Sequence, residues 1–111
     1  MLKKGNNILS LNFTLQEQMI LQPFLPKLNN FSEEVINYYS NKLPIMFDIF
    51  LKLEYQNNII NYTIGGIAIS NKKDLSQLKF CIWRTFLCSI EDNNLINTNS
   101  IRLLSIIYHD D

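Results

Sequence analysis

An unbroken alternation of side chains from Ile45 to Tyr55 constrains the fold of this chain more than any other feature. One half of the alternation is apolar or aromatic and consists of Ile45, Phe47, Ile49, Leu51, Leu53 and Tyr55. The other half carries all the charged residues and consists of Met46, Asp48, Phe50, Lys52 and Glu54. A period of two residues is typical of a β-strand that buries one face. We therefore predict a strand whose first set of side chains faces the core.

A second apolar stretch, which ends at Ile69, follows after Gln56, Asn57 and Asn58. Asn tolerates the left-handed φ that a two-residue hairpin turn requires, so we predict a hairpin with Asn57 and Asn58 as its turn. The predicted register pairs Tyr55 with Ile60, Leu53 with Tyr62, Leu51 with Ile64 and Phe47 with Ala68. A slip of one residue would turn one apolar set away from the other, so the pattern favours this register over its immediate neighbours.

Capping signals and prolines predict a helix before the hairpin. Thr14 and Glu17 match a capping box, in which each residue's side chain accepts a hydrogen bond from the other's backbone N–H. Pro23 and Pro26 lack the N–H that a helix interior needs, so this helix should end or kink between them.

Two more helices and a strand complete the predicted elements. Ser32 is a candidate N-cap for a second helix over residues 33–42, with acidic residues in its first turn. Asp74 is a candidate N-cap for a long helix over residues 75–91, which is apolar over much of its circumference. The last strand is predicted over residues 100–108.

This order of elements predicts the fold class. We expect one α+β domain over residues 1–111, with two N-terminal helices, a β-hairpin, a long helix and a final strand. A right-handed crossover through the long helix places the last strand antiparallel beside the first strand of the hairpin. The prediction is a three-stranded antiparallel sheet, with that first strand in the middle and helices packed on it.

Composition limits the classes of function. The chain has 111 residues, of which 47% are hydrophobic, and its ten basic and ten acidic residues give zero net charge. Zero net charge disfavours nucleic-acid binding, which draws its affinity from clustered Lys and Arg. No stretch reaches the about 18 apolar residues of a membrane span, and two cysteines do not make a disulfide framework. We expect a cytoplasmic protein that does not associate with membranes.

Codon usage explains the rest of the composition. Ile, Leu and Asn dominate, whereas Ala68 is the only alanine and Val35 the only valine. AT-rich codons supply the abundant residues. The composition therefore indicates a phage, a mobile element or a low-GC bacterium, although an AT-rich eukaryote or organelle would look similar.

The residue types that carry catalysis or bind metals have structural explanations here. Cys81 and Cys88 are two helical turns, or about 10 Å, apart, which is too far for a disulfide, and we expect them to be packing residues. His109 lies near the chain end, where we expect a solvated tail. Gly65 and Gly66 lack the Lys and spaced glycines of a P-loop and are predicted to make room for large neighbours or to mark a bulge. We predict no catalytic residue, metal or cofactor.

An excess of apolar side chains provides the candidate site. The candidate partner-binding residues on the outer face of the hairpin are Met46, Phe50, Ile67 and Ile69, and those on the long helix are Phe80, Arg84 and Leu87. The first two helices of the same chain are an alternative cover for the hairpin residues. Asp48 lies among these apolar residues and needs a partner if it is buried, for which Arg84 and Arg102 are candidates.

The favoured function is a non-catalytic protein-binding domain, such as an inhibitor, an immunity protein or an accessory factor. The alternative is a structural or obligate-oligomer subunit, such as a phage head or tail component, which would use the same apolar surfaces to bind itself. An enzyme and a nucleic-acid regulator are less favoured, because no catalytic constellation and no basic cluster are found.

Overall fold

The computed structural model describes residues 12–96 and 100–110, which form four helices, a 3-10 turn and three strands. In chain order these are α1 (Leu15–Leu21), the 3-10 turn (Gln22–Phe24), α2 (Leu25–Tyr39), β1 (Ile45–Tyr55), β2 (Asn58–Ile69), α3 (Lys72–Ser76), α4 (Leu78–Asp92) and β3 (Arg102–Asp110). The predicted α+β class is confirmed.

The predicted capping box begins α1. The Thr14 side chain accepts a hydrogen bond from the Glu17 backbone N–H at 3.1 Å, and the Glu17 carboxylate accepts one from the Thr14 N–H at 2.9 Å. The helix ends where Pro23 enters, because proline has no N–H to continue the α-helical pattern. The capping box is confirmed, whereas the helix ends at Leu21, before Pro23 rather than between the two prolines.

The second helix begins earlier than predicted. Helix α2 starts at Leu25 with Pro26 in its first turn, a position where the missing N–H of proline costs nothing. Ser32 is not an N-cap but a buried residue in the middle of α2, and its hydroxyl donates to the Leu28 carbonyl at 2.8 Å. A serine hydroxyl can donate to a carbonyl of the preceding helical turn, so serine also occurs inside helices. The prediction of an N-cap at Ser32 was wrong for this reason.

The predicted long helix is two helices. Asn71, not Asp74, is the N-cap of α3, and its side chain accepts from the Asp74 N–H at 2.9 Å. The chain breaks the helical geometry at Gln77, and α4 then continues to Asp92. β3 starts two residues later than the predicted strand and extends two residues further.

The sheet has the predicted topology. Its strand order is β2-β1-β3 with both neighbours antiparallel to β1, so the first hairpin strand lies in the middle. The side chains that β1 turns inward are buried together with residues of the helices. These inward residues of β1 are Phe47, Ile49, Leu51 and Leu53.

The hairpin register differs from the prediction by two residues. The turn residues are Gln56 and Asn57, which have φ of 51° and 67°, and Tyr55 pairs with Asn58. The observed pairs are Leu53 with Ile60, Leu51 with Tyr62 and Ile49 with Ile64. A shift of two residues keeps every side chain on its face, so alternation alone could not distinguish the two registers.

A β-bulge near the other end of the hairpin changes the phase of β2. The register shifts between Phe47 and Ile49, so that Gly65 and Gly66 together oppose Asp48. Gly66 has a φ of 69°, and its N–H donates to the Asp48 carboxylate at 2.9 Å. Of the two explanations offered for the glycines, the bulge is the one observed, although Gly65 also lies close to the Asp48 side chain.

The backbone conformation of Gly66 in the bulge predicts how substitutions there change the stability of the protein. A Cβ there would meet no atom within 4 Å, so the positive φ is the only obstacle to a side chain. We expect Gly66→Ala to lower the free energy of unfolding by about 1–2 kcal/mol, and Gly66→Asn to lower it less because Asn tolerates this conformation. Chemical denaturation of the three proteins measures the difference, and equal stability of wild type and Gly66→Ala would contradict the bulge geometry.

Candidate interaction surface

The sheet leaves its outer face uncovered over the described residues. The outward side chains of β1 and β3 include three large apolar residues that are well exposed: Met46 at 51%, Phe50 at 36% and Ile107 at 57%. We call these three residues the outer-face patch. The inward side chains of the same strands belong to the core instead. The cover by the first two helices that the sequence left open is therefore not observed for this patch.

Phe50 is the centre of the outer-face patch. It pairs across the sheet with Ile107 of β3 on one side and with Thr63 of β2 on the other. Met46 lies four residues away along β1, opposite Ala68. An aromatic side chain on the central strand, with an isoleucine beside it, is the composition found at the centre of protein interfaces.

Charged residues of both signs lie on either side of Phe50. Asp48 and Lys52 lie on β1, each two residues from Phe50 and on the same face. Glu54 follows on the same face and forms an ion pair with Arg102 of β3 at 2.7 Å. The outer face therefore has a short apolar centre with a mixed polar rim, not a field of one sign.

Asp48 has a different partner from the one predicted. Its carboxylate accepts from the Gly66 backbone N–H, and neither arginine reaches it, since Arg84 pairs with Glu17 and Arg102 with Glu54. Asp48 lies on the central strand but is only half-buried on the outer face, and a half-buried carboxylate that accepts a backbone hydrogen bond needs no cationic partner.

Two predicted contact residues on β2 do not belong to this surface. Because the bulge shifts the phase of β2, Ile67 and Ile69 pair with Phe47 and Ile45 and turn inward. Ile69 is only 3% exposed, and Ile67 packs against the core. Ile107, which the sequence analysis did not select, takes their place. Its outward position follows from the pairing of β3 with β1, which periodicity within one segment does not reveal.

The three candidate residues on the long helix lie in three different environments. Leu87 is 1% exposed and belongs to the core. The Arg84 guanidinium donates to the Glu17 carboxylate at 2.7 Å and to the Asn12 carbonyl at 3.1 Å, and it lies 4.5 Å from the centre of the Phe13 ring. Arg84 thus holds the segment before α1 against α4, and we leave it out of the proposed surface.

Phe80 lines a groove between α1 and α4. The groove has a volume of about 400 Å³ and is lined mainly by apolar residues, among them Phe13, Leu21, Leu25, Phe80 and Trp83. Trp83 is fixed at one wall, since its indole N–H donates to Asn29 of α2 at 2.9 Å. No charged side chain lines the groove among the described residues, and it is a secondary candidate for a contact.

His109 lies in a strand and not in a solvated tail. It belongs to β3, opposite Asp48, and its side chain is exposed with Nδ1 2.8 Å from the Asp110 carbonyl oxygen. The next residue of β3 is also fixed, because the Tyr39 hydroxyl donates to the Asp110 carboxylate. Burial raises the pKa of Tyr39, and the neighbouring Asp110 carboxylate raises it further.

The described residues contain no group of three or more His, Cys, Asp or Glu side chains that could hold a metal ion. In the same part of the chain every buried side-chain nitrogen or oxygen has a hydrogen-bond partner. No helix in the described ranges is both long and apolar enough to cross a membrane.

Comparisons with protein-family models, with curated proteins and with solved structures found no match.

Both cysteines have unpaired thiols, and the more buried one is Cys81. Burial raises the pKa of the Cys81 thiol to about 11, and burial together with nearby carboxylates raises the pKa of Cys88. We expect a thiol reagent at pH about 8 to modify Cys88 before Cys81. The thiolate is the form that reacts, and the deeper burial of Cys81 restricts both its ionisation and the access of the reagent. Mass spectrometry of the labelled peptides measures the order. Labelling of native Cys81 at the rate of an unfolded control would contradict the packing shown here.

The contact between Arg84 and Glu17 predicts a pH dependence of stability. The Thr14 N–H and the Arg84 guanidinium hold the pKa of Glu17 below its ordinary value, against the opposing effect of burial. A lowered pKa in the folded state gives stability that is present above the unfolded-state pKa and is lost as the pH falls through the folded-state pKa.

We expect Glu17→Gln to cost about 0.5–1 kcal/mol near neutral pH, because Gln keeps the capping hydrogen bond and removes the charge. The difference from wild type should shrink as the pH falls through the folded-state pKa of Glu17 and vanish once the glutamate is itself protonated. Urea denaturation at neutral pH and at a series of acidic pH values measures it. A difference that persists unchanged in acid would assign the effect to packing.

Proposed function

We propose that this protein is a non-catalytic protein-binding domain that docks its partner on the outer-face patch. The observation that carries the proposal is the exposure of Phe50 and Ile107 side by side on the uncovered face of the sheet. Burying such side chains in an interface removes apolar surface from water, which favours association.

The charges around the patch favour a protein as the partner. Lys52 and Arg102 lie among Asp48 and Glu54, and the chain as a whole has zero net charge. A phosphate backbone would meet as many carboxylates as cations on this face, and an anionic membrane surface would meet the same mixture. A protein surface can match both signs, which gives specificity rather than raw affinity.

We interpret the biological role as that of an inhibitor, an immunity protein or an accessory factor of a phage, a mobile element or an AT-rich bacterium. The small size and the AT-rich composition support this role. The two unpaired thiols fit a reducing compartment such as the cytoplasm. The alternative, an oligomeric structural subunit, is favoured by one feature of the outer face, which is the arrangement of opposite charges on either side of Phe50.

The proposal predicts the effect of truncating Phe50. In binding measurements by calorimetry with the purified partner, Phe50→Ala should weaken association by about 1–2 kcal/mol, because interface energy is concentrated in a few central aromatic residues. Met19→Ala is the control, since Met19 is also a large apolar residue, lies on α1 and is 68% exposed, which is more than the 36% of Phe50. It should leave the affinity unchanged.

Thermal denaturation of both variants separates binding from folding. Because Phe50 is 36% exposed, its truncation should lower the midpoint moderately and leave the protein folded at the temperature of the binding measurement. The proposal fails if Phe50→Ala binds every identified partner, including the chain itself, as tightly as wild type does. It also fails if Met19→Ala has the larger effect, since the contact surface would then lie on α1.

A further inference from the structure

The outer face of β1 carries opposite charges at equal distances on the two sides of Phe50. Asp48 lies two residues before it and Lys52 two residues after it, all three on the same face of the strand. At about 3.3 Å per residue, the two opposite charges are about 13 Å apart with the aromatic side chain midway between them. An arrangement of this kind is complementary to its own copy, provided that the copy runs in the opposite direction.

Two orientations of a second copy are compatible with face-to-face stacking about a two-fold axis. If the axis runs along the strands, the two β1 strands are parallel, and Asp48 of one copy faces Asp48 of the other. If the axis runs across the strands at Phe50, the strands are antiparallel, and Lys52 of one copy faces Asp48 of the other, twice. The charges select the second orientation, because like charges would repel in the first.

We propose that the partner on the outer-face patch is a second copy of this chain, stacked antiparallel about a two-fold axis that passes across the strands at Phe50. This inference rests on the proposed use of the patch for protein binding. Phe50 and Ile107 pair across the sheet, so the axis brings each of them against its own symmetry mate. Interfaces of two-fold dimers bury the same surface on both copies, as this one does.

The ends of the face match in the same orientation. Met46, at one end of β1, comes opposite Glu54 of the other copy, whose ion pair with Arg102 is already formed within the chain. The Arg102 stem supplies apolar surface for Met46 to cover. Stacked sheets of this kind lie about 10 Å apart with strands inclined by about 30°, which leaves room for one layer of side chains from each copy.

The area of the outer face of the sheet sets the expected affinity of the dimer. β1 is 11 residues long, and three strands at the usual spacings cover about 36 by 14 Å, or about 500 Å² per copy. The total of about 1,000 Å² is at the lower limit for a specific interface. We therefore expect a reversible dimer whose monomer is folded, rather than an obligate dimer.

Charge reversal tests the orientation. Sedimentation velocity over a range of concentrations should show wild type passing from monomer to dimer. Lys52→Glu alone should weaken dimerisation at least tenfold, because the introduced carboxylate would then face Asp48 of the other copy, and Asp48→Lys alone should do the same with two cations. An equimolar mixture of the two variants should recover association, since every pair across the axis is then of opposite sign. Lys72→Glu, at an exposed position on α3, is the control and should dimerise like wild type.

A cross-linking experiment on the unaltered chain covers the case in which Asp48→Lys does not fold, since Asp48 accepts the Gly66 N–H at the bulge. A carbodiimide joins a lysine to a carboxylate in direct contact. Within one chain, Lys52 and Asp48 are too far apart along the strand for this reaction. An isopeptide between Lys52 and Asp48 in the dimer band therefore supports the proposed orientation.

The outcomes separate this inference from the proposed function. A wild-type chain that stays monomeric, or whose dimer is unaffected by Lys52→Glu, overturns the inference. If such a chain still binds a different purified protein in a manner that Phe50→Ala weakens, the proposed function stands without it. If Phe50→Ala changes neither self-association nor any other binding, both are wrong.

Discussion

The hydrogen bond from the Gly66 N–H to the Asp48 carboxylate holds the β-bulge that decides which side chains of β2 face the core and which face outward. It closes a bulge in which two glycines oppose one residue of β1. Beyond the bulge the side chains of β2 exchange faces, so Ile67 and Ile69 enter the core while Ala68 turns outward. Without this change of phase two large isoleucines would lie outside, and the outer face would be far more apolar than it is.

The helices lie on one side of the sheet, and polar side-chain contacts link them to each other and to the strands. Arg84 of α4 binds Glu17 of α1, Trp83 of α4 binds Asn29 of α2, and Lys27 of α2 donates to a carbonyl of β3 at 3.0 Å. These contacts lie at the margins of a core that is otherwise apolar. Over the described residues the opposite face of the sheet has an aromatic centre with charges of both signs around it, which is the physical basis of the contact with another protein that we propose.

The candidate site was only partly predictable. Met46 and Phe50 are exposed as the alternation of β1 indicates, because the neighbouring odd-numbered residues fill the core. Ile69 and Leu87 were misplaced for different reasons. For Ile69 the bulge reversed the face, and for Leu87 the helix α4 is covered on more than one side. Ile107 was missed because its exposure depends on which residue of β1 it pairs with.

Strong local signals were enough to predict the strand that alternates from Ile45 to Tyr55 and the capping box at Thr14, and the order of the elements together with a right-handed crossover predicted the three-stranded antiparallel sheet. The hairpin register and the set of exposed side chains depend on how the strands pair in the folded protein. The reason is that alternation repeats every two residues, so a two-residue shift satisfies it equally well. The positive φ of the two turn residues and of Gly66 accompanies the observed pairing of β1 with β2, and a separate register shift occurs in the pairing of β1 with β3. The two pairings then decide which side chains are exposed to water.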